Sequence, residues 1–192
     1  MKQKIIAIVG QAGSGKDTVA QLMRMTLHVP ILCSYTTRPM REGEVNGREH
    51  IFVKECNIPR EKMLAYTEYG GYKYWTELDQ IKDAAIYVID EKGIMDICER
   101  FPDIELVNIY VAAKPETLKA RGIAPERMKR DEYRVTMDIN SFDYVITNNS
   151  SLWALLQAVI TVFLQMTKYS LEDLKTLNQE LSEYIKAALK DN

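Results

Sequence analysis

Nine residues near the start of the chain, Gly10-Gln11-Ala12-Gly13-Ser14-Gly15-Lys16-Asp17-Thr18, have the types and spacing needed to hold a chain of phosphates. A triphosphate offers many acceptor oxygens and several negative charges. Glycines let the backbone wrap around it with amide N–H groups turned inward. A helix that follows presents its positive N-terminal end, and Lys16 sets a point charge between the outer phosphates. Gly10, Gly15 and Lys16 match G-x-x-x-x-G-K. Three fixed positions recur by chance in roughly one chain in twenty of this length, so spacing alone decides little. The setting decides more, because the motif lies between an apolar run and an amphipathic one, as its mechanism requires. The candidate triphosphate-binding residues are therefore Gly10, Ala12, Gly13, Ser14, Gly15, Lys16, Asp17 and Thr18. Asp17 stands where the motif usually has the Ser or Thr that meets magnesium, and Thr18 comes one residue later. Either Thr18 points outward with Asp17 assisting the metal through water, or the metal relies on other groups. Magnesium is expected in both cases, because it neutralises the transferring phosphate.

Such a loop is shared by kinases, GTPases and motors, and the Asn-Lys-x-Asp guanine signature of a GTPase is absent. A second group of charges lies in the polar stretch 36–48. Arg38 and Arg41 are three residues apart beside Pro39. Guanidinium forks suit phosphate oxygens, although two solvated loop arginines would look the same on charge alone.

The elements that position these groups alternate. Residues 4–9 read as a strand buried on both faces. A helix is expected from Lys16, with Val19, Ala20, Leu22, Met23 and Leu27 on its apolar side, and Pro30 ends it. Residues 31–35 suggest a short second strand and 49–53 another. Residues 61–66 suggest a helix, and 69–75 strands with a turn. The buried-strand pattern returns at 84–90, followed by a helix at 94–100 and a strand at 106–111. Pro115 opens a further helix, 144–147 is a last strand, and 151–166 a helix capped by Ser151. This alternation predicts an α/β fold with a parallel sheet covered on both faces. Residues 170–190 carry Leu171, Leu174, Leu177, Leu181, Ile185 and Leu189 at helical spacing. That stripe suits packing on the domain or a homodimer contact.

Composition sets limits. The 192 residues suffice for one domain, and a net charge of −2 gives no bulk attraction to nucleic acid or to a membrane. Cys33, Cys56 and Cys98 form no CxxC pair, which argues for reduced, partly buried thiols in a reducing, cytoplasmic setting. No stretch reaches the ~20 apolar residues of a membrane span, and the N-terminus is no signal peptide.

The run Ser34-Tyr35-Thr36-Thr37-Arg38-Pro39-Met40-Arg41-Glu42-Gly43-Glu44-Val45-Asn46-Gly47-Arg48, followed by Phe52-Val53, closely resembles the monophosphate-binding loop of guanylate kinases. The resemblance extends more loosely from Ile5 to about Asn149, including Asp90-Glu91-Lys92-Gly93 and Val145-Ile146-Thr147-Asn148. It implies a P-loop three-layer fold with a small inserted monophosphate-binding subdomain and a short lid. The single kinase domain would divide into a core (1–33, 84–113 and 139–166), the monophosphate-binding subdomain (34–83), a lid (114–138) and a C-terminal helix (168–190). The resemblance further implies that Ser34 and Thr76 lie near the base, and that Arg38, Arg41 and Tyr74 hold the acceptor phosphate. His50 stands where the family has a second phosphate-binding Tyr, and an imidazole can still donate to phosphate with some pH dependence. Asp90 matches an acidic residue near substrate and metal. With Asp17 and Thr18 it completes the candidate metal set. A lid supplies arginines over the transferring phosphate, here Arg121, Arg127, Arg130 and Arg134. With Lys16, the first three are the candidate catalytic cations.

One position departs from the pattern. Ala65 falls where the family has a Glu that accepts hydrogen bonds from guanine N1 and N2. Losing a charged partner to a buried donor costs on the order of 2 kcal/mol or more. Glu68, one helical turn onward, offers a substitute, and Trp75 replaces a small glycine and would reshape the base pocket. The implied activity is phosphorylation of a nucleoside monophosphate, GMP or dGMP, by ATP with Mg2+. Two alternatives stay open: a related kinase with another phosphorylated acceptor (another deoxynucleotide or ribose bisphosphate), and a non-catalytic binding module. Such modules typically lose the P-loop lysine and glycines, which this chain keeps.

Overall fold

The computed structural model describes residues 3–123, 128, 131, 136–167, 179 and 183. The first strand, β1 (Lys4–Gly10), is buried along almost its whole length. It pairs in parallel with β6 (Ala84–Val88) on one side and β7 (Glu105–Ala112) on the other. β8 (Tyr144–Thr147) extends the sheet, giving the order β6-β1-β7-β8. Alternate side chains of β1 serve two cores. Ile6 and Ile8 pack with Val19, Leu22 and Met23 of α1 (Lys16–Leu27) and with Leu156, Val159 and Phe163 of α4 (Leu152–Met166). Ile5, Ala7 and Val9 face Ile94 and Ile97 of α2 (Glu91–Arg100) and the buried Leu64, Ala65 and Tyr87. Each fully buried Leu, Ile or Phe contributes ~1.5–3 kcal/mol, so these two layers fix the sheet that carries the phosphate loop.

A second, mixed sheet holds β2 (Tyr35–Thr36), β3 (Ile51–Phe52), β4 (Met63–Tyr69) and β5 (Tyr72–Glu77) in the order β3-β2-β5-β4. The helix expected over 61–66 is not there. A single 3-10 turn, Arg60–Lys62, leads into β4. The ladder shifts register between Met63 and Ala65, which lets Met63, Leu64 and Ala65 all be buried. An apolar run that short does not separate helix from strand by its period. The strand expected over 31–35 is also reduced. Ile31 makes one parallel bridge to Ile86, and the chain then crosses to the mixed sheet as β2. α2 begins at Glu91, three residues before its apolar pattern, because the Asp90 carboxylate caps it by accepting from the Gly93 amide at 2.8 Å. The helix after β8 agrees with expectation, with Ser151 accepting from the Ala154 amide. Between β7 and β8 lies a short helix, α3 (Pro115–Ala120), with Pro in its first turn.

Cys33 and Cys56 are half-buried, Cys98 is exposed rather than partly buried, and all three are free. Among the described residues no helix is long and apolar enough to cross a membrane. The leucine stripe of 170–190, and with it any homodimer contact through that segment, lies outside the described residues. Arg127, Arg130 and Arg134 lie outside them as well.

Candidate active site

The loop between β1 and α1 is shaped by close approaches. Gly13 and Gly15 have φ of 76° and 93°, a region that L side chains rarely enter. A Cβ on Gly15 would collide with the Asn148 side-chain amide, and one on Gly10 would lie 2.5 Å from the Val111 carbonyl oxygen. Asn148, just after β8, donates from Nδ2 to the Ser14 carbonyl at 2.8 Å. Arg121, just after α3, donates from Nη1 to the Gly13 carbonyl at 2.8 Å and from Nη2 to the Asn148 carbonyl at 3.1 Å. Its fork thus ties the loop to the end of β8. The Ala12 amide donates to the Asp131 carboxylate at 2.6 Å. Ser14 is fully buried, and its Oγ has no hydrogen-bond partner among the described residues. Lys16 opens α1 and is half-buried, Asp17 is exposed beside it, and Thr18 is half-buried.

Among the described residues no group of three or more His, Cys, Asp or Glu side chains could hold a metal by itself. Asp17 and Thr18 in the first turn of α1 nevertheless offer hard oxygens next to the phosphate cradle. That sparse donor set suits magnesium, which keeps several waters and takes its other ligands from phosphates. Asp90 commits Oδ1 to the cap of α2.

The second cluster stands on the mixed sheet. Arg38 is buried and grips Glu44 with both Nη atoms, at 3.0 and 2.8 Å, while Nη1 also donates to the Pro39 carbonyl at 2.8 Å. The guanidinium also lies 5.4 Å from the centre of the Phe52 ring. This pairing holds the Glu44 carboxyl down at about 2, chiefly through the Arg38 hydrogen bonds and then the Arg41 amide. Arg38 itself is raised, first by Glu44, with Tyr74 adding to the effect. Ser34 Oγ is 3.3 Å from His50 Nδ1, and the His50 ring meets that of Tyr74 edge-on at 5.7 Å. Ser34, Arg38, His50 and Tyr74 are thus brought together, whereas Arg41 is exposed and uses its amide on Glu44.

Burial lowers the His50 pKa, and Arg38 lowers it further. The ring is neutral at neutral pH, and the tautomer decides which of Ser34 Oγ and His50 Nδ1 donates in their contact. The unfolded chain therefore binds more protons than the folded one below about pH 6.5, so acidification destabilises the native state. Melting temperatures at about pH 5.5 and about pH 7.5 test this: wild type should lose more on acidification than His50→Gln. An equal loss in both proteins would remove His50 as the cause.

Strand pairing sets the face of each neighbour. Ala65 pairs with Thr76, and Thr67 and Thr36 pair with Tyr74 on either side. These side chains share one face. Trp75 pairs with Tyr66 and Tyr35 and stacks on Tyr35 at 5.5 Å, so it faces away from Tyr74 and Thr76. The expectation that Trp75 reshapes a pocket beside Thr76 fails, because residues one apart on a strand point oppositely. Glu68 fails as a substitute for the missing carboxylate for the same reason. It lies three positions along a strand from Ala65, exposed, where it accepts from the Tyr66 hydroxyl.

Thr76 is completely buried and donates to the Tyr87 hydroxyl at 2.5 Å. This bond joins the mixed sheet to β6. Burial pushes the Tyr87 phenol up to about 12, so it stays neutral. Thr76→Val should lower stability by ~1–3 kcal/mol, because the Tyr87 hydroxyl is left buried and unpaired. The Thr76→Val/Tyr87→Phe double variant should lose less than the sum of the two single changes, as read by denaturant unfolding.

Sequence reasoning missed Glu44, Tyr87, Asn148 as a loop buttress, and Asp131. Glu44 left a signal, an acidic residue six positions after Arg38 in the same loop. The other contacts join distant segments and leave no local pattern.

A family model described as guanylate kinase matches residues 2–161. The chain is 28% identical over 180 residues to a guanylate kinase of Halalkalibacterium halodurans, covering 83% of this chain and 88% of that one. It is 30% identical over 176 residues to a guanylate kinase of Gloeobacter violaceus, covering 81% and 84%. The fold is similar to the crystal structure of guanylate kinase from Anaplasma phagocytophilum, with a TM-score of 0.57 and 21% identity over 84% of this chain and 83% of that one.

Proposed function

Because this chain belongs to the guanylate kinase family and is a nucleoside monophosphate kinase, we propose that it transfers the terminal phosphoryl group of ATP to GMP or dGMP. The observation that carries this reading is the convergence of Ser34, Arg38, His50 and Tyr74 on one sheet, apart from the glycine loop that suits a triphosphate. Two phosphate-binding centres of different kinds fit a reaction with two phosphorylated substrates.

In this reading the amides of Gly10 to Lys16 and the Lys16 ammonium hold the donor phosphates. Asp17, Thr18 and Asp90 would hold magnesium with the nucleotide, and it would supply charge neutralisation. Glu44 presets Arg38 so that its remaining N–H groups meet the acceptor phosphate, and Arg41 adds a second fork. Tyr74 and a His50 ring N–H donate to the same group. Arg121, anchored on two carbonyls, fixes the loop against β8, and Arg127 and Arg130 are the remaining candidates for charge over the transferring phosphate. No general base is required, because the acceptor is already an anionic oxygen.

Ala65 favours a second reading. It sits on the face of Thr76 with no side-chain acceptor to offer guanine, which fits another deoxynucleotide or a ribose bisphosphate as acceptor. A coupled assay of ADP release, run with ATP and magnesium against a panel of monophosphates, separates the cases. Highest kcat/KM on GMP or dGMP is expected. Preference for another acceptor would replace the first reading by the second. Intact ATP binding with no turnover on any acceptor would favour a binding module.

A further inference from the structure

The Ala12 amide lies in the stretch that cradles phosphate, and its hydrogen bond goes to a carboxylate from 119 residues away. Ala12 is buried, and the contact with Asp131 is partly buried. Two further residues, Arg121 and Ile123, contact the same loop. Arg121 donates to the Gly13 carbonyl, and the Ile123 side chain fills the space above the Gly13 Cα. A carboxylate oxygen and a phosphate oxygen are both anionic acceptors, and one N–H cannot point squarely at both. A carboxylate left beside a bound triphosphate would also repel it, weakly screened at this burial.

We propose that Asp131 is a built-in competitor of the nucleotide: its carboxylate occupies an amide of the phosphate cradle and must leave before a triphosphate is seated. The loop's demand for an anion is then met internally in the free protein. Apparent affinity for the triphosphate is reduced by the fraction of molecules in which the carboxylate is in place. Asp131 is not part of the machinery that grips either substrate. It sets how readily the donor site is taken. The inference rests on the reading of residues 10–18 as a triphosphate cradle and needs nothing from the acceptor site.

The test is equilibrium binding by calorimetry of the whole chain, with ATP and with inorganic tripolyphosphate as probes and no acceptor present. Asp131→Ala and Asp131→Asn should each bind both probes about three- to tenfold tighter than wild type. Asp131→Glu, which keeps the charge, should stay nearer wild type. Circular dichroism confirms that each variant is folded. The Ala12 amide resonance gives a second readout: it should shift in the free Asp131→Ala protein relative to free wild type. Equal or weaker binding by the folded Ala and Asn variants would overturn the proposal while leaving the cradle intact. No binding of either probe by any of the proteins would overturn the cradle reading together with it.

Discussion

Replacing Lys16 by alanine should reduce kcat by roughly 10²–10³-fold while the protein remains folded. Lys16 is the first residue of α1, after a glycine at φ 93° that no other residue type adopts at ease. The helix is held from its buried side by Val19, Leu22 and Met23, none of which depends on Lys16. The ammonium is therefore placed by the loop for charge rather than for packing. Charge that develops on a transferring phosphate is stabilised most by a fixed cation in a site that excludes water. Lys16→Arg tests position against charge: the longer planar group keeps the charge and loses the geometry, and should recover only part of the rate. Steady-state rates of ADP release, with melting temperatures alongside, decide the matter. A variant within a few fold of wild type would remove Lys16 from the chemistry.

Arg38→Ala should raise KM for the acceptor monophosphate by roughly 10- to 100-fold, corresponding to the loss of a charge-assisted contact of ~1.5–3 kcal/mol. KM for ATP should change little, because Arg38 stands on the mixed sheet and the donor loop follows β1. The same variant deprives Glu44 of its main partner, so its carboxyl should rise from about 2 towards an ordinary value. The sign follows from the direction of that shift. A depressed carboxylate contributes stability above its unfolded pKa, and that contribution is lost as pH falls through the folded value near 2. Wild type should therefore keep this contribution further into acid than Arg38→Ala does. Arg38→Lys separates charge from fork, since an ammonium cannot grip Glu44 with two parallel bonds. An unchanged acceptor KM in Arg38→Ala would take this residue out of the acceptor site.

The parts of the molecule that could be read from the chain are those whose signal is local. The apolar run of β1, the glycines and lysine after it, and the spaced apolar residues of α1 are three neighbouring patterns that agree with one another. The cap residue Ser151 and the first-turn Pro115 mark their helices for the same reason. β4 was harder, because Met63, Leu64 and Ala65 are consecutive buried residues, and a bulge removes the alternation that marks a strand. Misreading that segment as a helix also misplaced Glu68, since four residues per turn and two per pleat send the same spacing to different faces. The directions of Trp75 and Thr76 could be inferred only once β5 was known to lie between β2 and β4. The bonds from Asn148 to Ser14, Thr76 to Tyr87 and Asp131 to Ala12 depend on how distant segments meet. No window of sequence contains both partners of the first or the last.

The two sheets each complete their own hydrogen-bond ladder. They meet through one core, where Leu64 and Ala65 pack with Ile5, Ala7 and Val9 of β1, and through the Thr76–Tyr87 bond. Ala65, beside Thr76, belongs to that shared core, whereas the turn that carries Lys16 follows the far end of β1. A bulkier side chain at 65 would therefore press on the strand that leads into the glycine loop, so the size of that residue is set from both sheets at once.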